Sequence, residues 1–212
     1  MSKSNSSQRW LKEHFSDEYV KKAQQEGYIS RAAYKLKEMI ERDRLFKPGM
    51  VVIDLGAAPG GWSLVASEAV APKGRVIAVD CLAMGGLPGV DVIQGDFNDE
   101  EVWASVRALV KQYRDDEKVD VVLSDMAPNL SGNRSLDQPR SLHLIELAWD
   151  AASELLRPSG TFLVKMFEGY GVQELIAMWR QSFEVVKIRK PKASRARSRE
   201  IYVLALGFKG II

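Results

Sequence analysis

The sequence predicts an α/β domain with a mostly parallel central sheet, an antiparallel C-terminal edge strand and helices on both faces. Three observations predict it. Short, continuous apolar runs alternate with longer amphipathic segments through most of the chain. That is the pattern of strands buried on both faces and joined by crossover helices. The first of these runs leads into a glycine-rich loop, Gly56-Ala57-Ala58-Pro59-Gly60-Gly61. The last two runs follow each other with no helix between them, so the parallel pattern ends in an antiparallel pair.

Residues 1–8 are polar and read as a disordered tail. Residues 9–47 read as a basic helical extension packed on the core, with Ala33, Leu36 and Ile40 at helical spacing. Lys47-Pro48-Gly49 ends that pattern. The core occupies 48–212, and the chain is one domain: 212 residues supply one sizeable core, and no linker separates a second. Strands are expected over 50–55, 75–79, 90–94, 119–124, 161–166, 183–189 and 200–207. Helices are expected over 62–70, 100–113, 139–156 and 171–182. The breakers Ala71-Pro72-Lys73-Gly74 and Arg157-Pro158-Ser159-Gly160 close two of these helices.

Composition narrows the function classes. Hydrophobic residues make up 46% and charged residues 27% of the chain, the balance of a soluble globular domain. No apolar run approaches the ~20 residues that span a bilayer, and the start has no signal-peptide segment. A cytoplasmic monomer without membrane contact is expected. Cys81 is the only cysteine, so an intramolecular disulfide or a cysteine metal cluster is impossible. His14 and His143 have no partners at metal-ligand spacing, and no metal is expected. Ser63 and Ser124 lack a histidine-based triad. Net charge is only +2, but it is unevenly spread. Residues 1–47 carry 11 basic against 7 acidic side chains, and residues 187–200 carry 7 against 1. Two basic segments flanking an acidic middle favour a polyanionic partner.

In an open α/β sheet, ligands bind beyond the carboxyl ends of the strands, near the switch in strand order. Asp54, Asp80, Asp96, Asp125 and Lys165 all fall at or just after predicted strand ends, and so share one rim. The loop before the first core helix offers close backbone approach and unpaired N–H groups. Its spacing, G-x-x-x-G-G, departs from the dinucleotide fingerprint, and Pro59 removes a donor. A carboxylate suits it better than a diphosphate, which disfavours a nicotinamide-dependent dehydrogenase. Asp80, 24 residues after Gly56, can accept from both hydroxyls of a ribose. Asp96, in Gly95-Asp96-Phe97, can accept from an adenine amine. Carboxylate, ribose and adenine together describe S-adenosylmethionine, with Trp62 helping to line its site.

Four further residues stand in distinctive contexts: Lys35 in Ser30-Arg31-Ala32-Ala33-Tyr34-Lys35, Asp125 in Ser124-Asp125-Met126-Ala127-Pro128, Lys165 in Val164-Lys165-Met166-Phe167 and Glu200 in Ser198-Arg199-Glu200-Ile201. Two amines and two carboxylates at the edges of apolar segments could converge in a pocket that takes a proton from a weak acid such as a sugar hydroxyl. These motifs, with Glu13-His14-Phe15-Ser16-Asp17, Phe46-Lys47-Pro48-Gly49-Met50, the segment 54–63 and Ser194-Arg195-Ala196-Arg197, closely resemble the FtsJ-type ribosomal RNA 2′-O-ribose methyltransferases of bacteria. The resemblance covers nearly the whole chain.

The resemblance implies a single-domain, Rossmann-like class I methyltransferase fold. It implies a catalytic Lys-Asp-Lys-Glu tetrad at Lys35, Asp125, Lys165 and Glu200, and cofactor contacts at Gly60, Trp62, Asp80, Asp96 and Asp125. It also implies the target: a uridine ribose in the A-loop of large-subunit (23S) ribosomal RNA, methylated on the assembled subunit. In this scheme Lys165 accepts or orients the hydroxyl proton, held by Asp125, and Lys35 lowers the cost of a neutral Lys165. Lys35 and Glu200 complete the network and grip the ribose. Arg31, Lys190, Lys192, Arg195 and Arg197 are the expected RNA contacts. The rival readings are a transfer-RNA or cap 2′-O-methyltransferase of the same superfamily and a non-catalytic ribosome assembly factor.

Overall fold

The computed structural model describes residues 17–211 apart from 97, 130 and 196, with residue 134 described in its backbone only. The tail at 1–8, the first part of the basic extension with His14, and Phe97 and Ala196 lie outside the described residues.

Within 17–47 there are two helices where the sequence reads as one basic helical segment: α1 (Glu18–Glu26) and α2 (Ala32–Asp43). Asp17 caps α1, accepting from the Tyr19 N–H at 3.0 Å. Gly27 ends it in the left-handed conformation at φ 77°, a position a side chain would strain. The core then runs β1 (Val51–Leu55), α3 (Gly61–Val70), β2 (Arg75–Asp80), β3 (Val90–Gln94), α4 (Glu100–Tyr113), β4 (Val119–Ser124), α5 (Arg134–Leu155), β5 (Leu156–Phe167), α6 (Val172–Ser182), β6 (Phe183–Arg189) and β7 (Glu200–Phe208).

The seven strands form one sheet in the order β3-β2-β1-β4-β5-β7-β6. Strands β1 to β5 pair in parallel, and β7 pairs antiparallel with both β5 and β6. The final pair forms the antiparallel edge expected, with β6 outermost and the last strand one place in. Val51–Leu55 and Val119–Ser124 are buried along their whole length, as centre strands covered on both faces must be. Burying each such valine stabilises the fold by about 1.5–3 kcal/mol relative to leaving it exposed. One face carries α4, α5 and α6 over Ile53, Val79, Val122 and Phe162. The other carries α2 and α3 over Val52, Val121, Leu163 and Tyr202. Helix α4 shows why such segments fold: Val102, Val106 and Val110 recur every fourth residue and are its buried stripe, and Asp99 caps its start.

Two boundaries differ from the sequence reading by more than one residue. Helix α5 begins at Arg134, ahead of Pro139. Asn133 accepts from the Ser135 N–H, and Asp137 reaches back to Ser131 and Gly132. These contacts anchor the chain into the first turn, ahead of Pro139, which lies inside the helix. Strand β5 begins at Leu156, because Arg157-Pro158-Ser159-Gly160 does not leave the sheet. It forms an irregularity in the pairing with β4, between Val119 and Val121, with Ser159 at φ 64°.

Candidate active site

Chain direction changes side between β1 and β4: β2 and β3 lie on one flank of β1, and β4 and β5 on the other. The glycine loop leaves β1 at this switch point. Gly60, at φ 105°, caps α3 with no side-chain bond to the helix start. A methyl group on Gly60 would stand 2.7 Å from Leu87 Cδ1 and 3.4 Å from Ile29 Cδ1. The backbone angle therefore demands glycine, and a side chain would also displace the ends of Leu87 and Ile29. The α3 N-terminus faces the rim with its first N–H groups uncapped by any side chain.

Three carboxylates surround this loop. Asp80 Oδ2 accepts from the Ala58 N–H at 2.9 Å and Oδ1 from the Leu82 N–H at 2.8 Å, bracing the loop against the end of β2. Asp54, near the end of β1, is fully buried. Its Oδ2 accepts from Ser63 Oγ at 2.6 Å, pinning α3 to β1 across the loop, and its Oδ1 has no partner among the described residues. Burial pushes the Asp54 carboxyl up to about 7, and the Asp125 and Asp80 carboxylates push the same way. Asp96 is exposed, and its Oδ1 accepts from the backbone and side-chain amides of Asn98. Trp62 is buried, its indole donating to the Ala32 carbonyl at 2.9 Å and tilting against Tyr202. Its ring belongs to the core, so what it offers a ligand is backbone at the start of α3.

The tetrad converges on the α2–α3 face of the sheet. Lys165 pairs across the ladder with Tyr202, and Phe167 with Glu200; residues two apart on a strand share a face. Lys35 reaches this face from α2. Lys165 Nζ lies 3.1 Å from Asp125 Oδ1 and donates to the Asp125 carbonyl at 2.5 Å. Lys35 Nζ lies 2.7 Å from Glu200 Oε1. Each amine thus faces its own carboxylate. The link between the two ion pairs is a residue that the sequence reading did not select. Lys35 Nζ donates to Tyr202 Oη at 3.0 Å, and Tyr202 Oη donates to Asp125 Oδ1 at 2.7 Å. The result is one chain of contacts, Glu200–Lys35–Tyr202–Asp125–Lys165.

Burial pushes the Tyr202 phenol far above its usual range, and the Asp125 and Glu200 carboxylates add to it. The hydroxyl therefore stays protonated and donates. Burial raises Glu200 most, but Lys35, Ser194 and Lys165 together outweigh it and hold the carboxyl below the usual range. The sequence signal for Tyr202 was its place two residues after Glu200 in a strand, which sets both side chains on one face.

Lys35, Lys165 and Glu200 open onto a cleft of about 490 Å3, together with Ala127 and Phe167; Asp125 stands behind Lys165. Three of the five expected RNA contacts, Arg31, Arg195 and Arg197, line the same cleft. Arg31 pairs with Asp17 and donates to the Ala193 carbonyl. Burial, then the neighbouring Arg195, lowers its guanidinium from the usual range. The other two do not line the cleft. Lys190 Nζ donates to the Ser198 and Glu200 carbonyls at 2.5 Å, tying the end of β6 to the start of β7. Lys192 is exposed, and its N–H donates to Glu38 Oε2. Among the described residues no group of acidic, histidine or cysteine side chains suits a metal, and no helix is long and apolar enough to cross a membrane.

The model of the FtsJ-like methyltransferase family matches residues 28–208, from just before α2 to the end of β7. The chain belongs to the FtsJ-like methyltransferase family. Relatives of this FtsJ-like methyltransferase include ribosomal RNA large subunit methyltransferase E of Pseudomonas aeruginosa, 53% identical over 99% of this chain and 100% of that protein. The protein of the same name from Legionella pneumophila is 53% identical over 98% of this chain and 99% of its own. Among solved structures, a ribosomal RNA methyltransferase from Plasmodium falciparum superposes with a TM-score of 0.77 at 32% identity, covering 86% of this FtsJ-like methyltransferase and 100% of that chain.

Proposed function

We propose that this chain transfers a methyl group from S-adenosylmethionine to the 2′-hydroxyl of a uridine ribose in large-subunit (23S) ribosomal RNA. The substrate is the assembled subunit, and the enzyme acts as a monomer in the cytoplasm. The observation that carries the reading is the contact chain from Glu200 to Lys165, lining a basic cleft beside a glycine loop ringed by carboxylates. The names borne by its relatives support the RNA and the subunit.

The donor site fits S-adenosylmethionine on three counts. Gly60 keeps the backbone open at the α3 N-terminus, which suits the ligand's carboxylate. Asp80 and Asp96 retain lone pairs for ribose and adenine. The Asp125 and Asp80 carboxylates raise the cost of ionising Asp54, and a cationic ligand beside it relieves that repulsion. When bound, this cofactor supplies a methyl group on a cationic sulfur.

The chain's own groups handle the acceptor. An ammonium has three donors, and Lys165 spends two of them on the Asp125 carboxylate and carbonyl. Its remaining direction holds the 2′-oxygen, and in its neutral form Lys165 Nζ receives the hydroxyl proton as the oxygen–methyl bond forms. Tyr202 fixes Asp125, and through it Lys165. Lys35 and Glu200 grip the sugar from the opposite wall. Arg31, Arg195 and Arg197 neutralise the adjoining phosphates. The rival readings make different products, so one experiment separates them. Radiolabelled methyl transfer into purified large ribosomal subunits, and in parallel into transfer RNA and capped RNA, followed by mapping of the modified nucleoside, should yield one 2′-O-methyluridine, in the subunits alone. Label appearing only in transfer RNA or cap nucleosides, or no transfer at all, overturns the proposal.

A further inference from the structure

A second cavity, of about 290 Å3, opens beside the tetrad cleft and shares Phe167, Arg197 and Ser198 with it. Nothing in the tetrad chemistry uses it. We propose that it holds the base of a nucleotide adjacent to the methylated one and selects a base bearing an exocyclic amine. The inference rests on RNA being the substrate of the cleft.

Size, position and polarity carry it. The volume is at the small end for ligand sites, with room for one base and not for a second nucleotide. A target ribose among Lys35, Lys165 and Glu200 leaves its chain neighbour beside Phe167, the wall common to both cavities. Its ring offers a stacking face, which any base accepts. Discrimination must then come from polar groups, and these are divided. On the α5 side stand Asp137 and Gln138. Gln138 Nε2 donates one hydrogen to the Tyr170 carbonyl at 2.9 Å, which orients the carboxamide and leaves its oxygen and one N–H for a ligand. Gly169 keeps room for that carboxamide: a methyl group there would fall 2.1 Å from Gln138 Oε1. Asp137 adds negative charge, its carboxylate held below the usual range mainly by the Ser131 N–H. With Asp137 beside that oxygen, this wall carries more acceptors than donors, which suits an exocyclic amine better than the O4 of uracil. The opposite rim carries Arg197 and Arg199, guanidiniums suited to the phosphates on either side of the base.

The test uses large subunits from cells lacking the gene, with each of the four bases in turn at the two positions flanking the mapped target. The full-length protein and its Gln138→Ala variant methylate them with radiolabelled cofactor. Uracil at one of the two positions should raise KM about fivefold, the worth of one hydrogen bond, and leave kcat unchanged. Gln138→Ala should raise KM equally for the amine-bearing base, and the two changes together should be no worse than either alone. Effects that multiply, or a KM indifferent to both flanking bases, would overturn the pocket while methylation itself stood. A wild-type protein inert on every particle would overturn both readings. If Gln138→Ala loses cofactor affinity as well, the base series on the wild-type protein decides alone.

Discussion

The donor side and the acceptor side of the proposed active site are built on opposite electrical principles. Around the glycine loop the fold gathers acids, and the Asp125 and Asp80 carboxylates disfavour the charge of Asp54. Across Lys165 it gathers cations, with Arg31, Arg195 and Arg197 on the wall of one cleft. The first arrangement suits a cationic small molecule and the second a polyanion. Asp125 lies on the border, contributing repulsion to Asp54 and an ion pair to Lys165. The contrast shows how a chain of net charge +2 can serve two ligands of opposite sign: it segregates charge along one rim of a sheet.

That contrast can be broken from either side. Lys165→Ala should lower methyl transfer by about a thousandfold or more, the scale of a positioned acid–base group, and leave cofactor affinity intact. Single-turnover rates and cofactor titration read the two separately, and normal turnover would remove Lys165 from the acceptor side.

Reversing the charge of Arg195 and Arg197 together should weaken RNA binding by about a hundredfold at low salt. It should also reduce the slope of log K against log salt by about 1.4, for two phosphate contacts on a single strand. Adding the reversal of Lys192, which does not line the cleft, should change little. Equal contributions from all three would mean that the basic wall extends beyond the cleft.

Tyr202→Phe sharpens the comparison, because it cuts the link between the ion pairs and spares the packing. We expect kcat to fall about thirtyfold, from roughly 2 kcal/mol of lost hydrogen bonding to charged groups, with RNA affinity unchanged. A kcat equal to wild type would make the tyrosine a core residue only.

The smallest effect belongs to Asp54. Its carboxyl is pushed up to about 7, so near pH 6 the folded protein holds a proton there. A cationic ligand favours the ionised form, so cofactor affinity should rise about tenfold between pH 6 and pH 8. Asp54→Asn should flatten that rise, as calorimetry at several pH values would show. Stability follows the opposite course. The unfolded chain releases this proton near pH 4, so Asp54 costs increasing stability as pH climbs from about 4 to about 7, and the full cost stays constant at higher pH. The asparagine variant should lose that slope in thermal melts.

The two sides also differed in how far they could be read from the chain. The donor side is local: one strand, one loop and the next strand end, in an order that spacing reveals. Even so, the sequence reading placed Asp54 only as a rim residue. Its orphaned oxygen exists because α3 seals it from water, which no spacing rule reports. Trp62 was expected to line the ligand site, but its indole is held by the Ala32 carbonyl, a partner supplied by another helix. On the acceptor side the four expected tetrad positions meet in one chain of contacts, and strand ends and apolar borders mark them in the sequence. Their pairing was not legible: Lys35 was expected to act on Lys165, and instead it meets Glu200 and Tyr202.

By itself the sequence determined the order of strands and helices, the glycine loop and the set of charged residues on one rim. Those follow from apolar runs, periodicity and backbone freedom, which are properties of neighbouring residues. Only the tertiary structure decided which charge met which, that Tyr202 joins the two ion pairs, and that Lys190 ties backbone while Arg197 faces the cleft. Lys35 and Tyr202 are 167 residues apart. A hydrogen bond falls off within a few tenths of an ångström, so such a contact is set by how α2 packs on β7, and no local rule reaches that far.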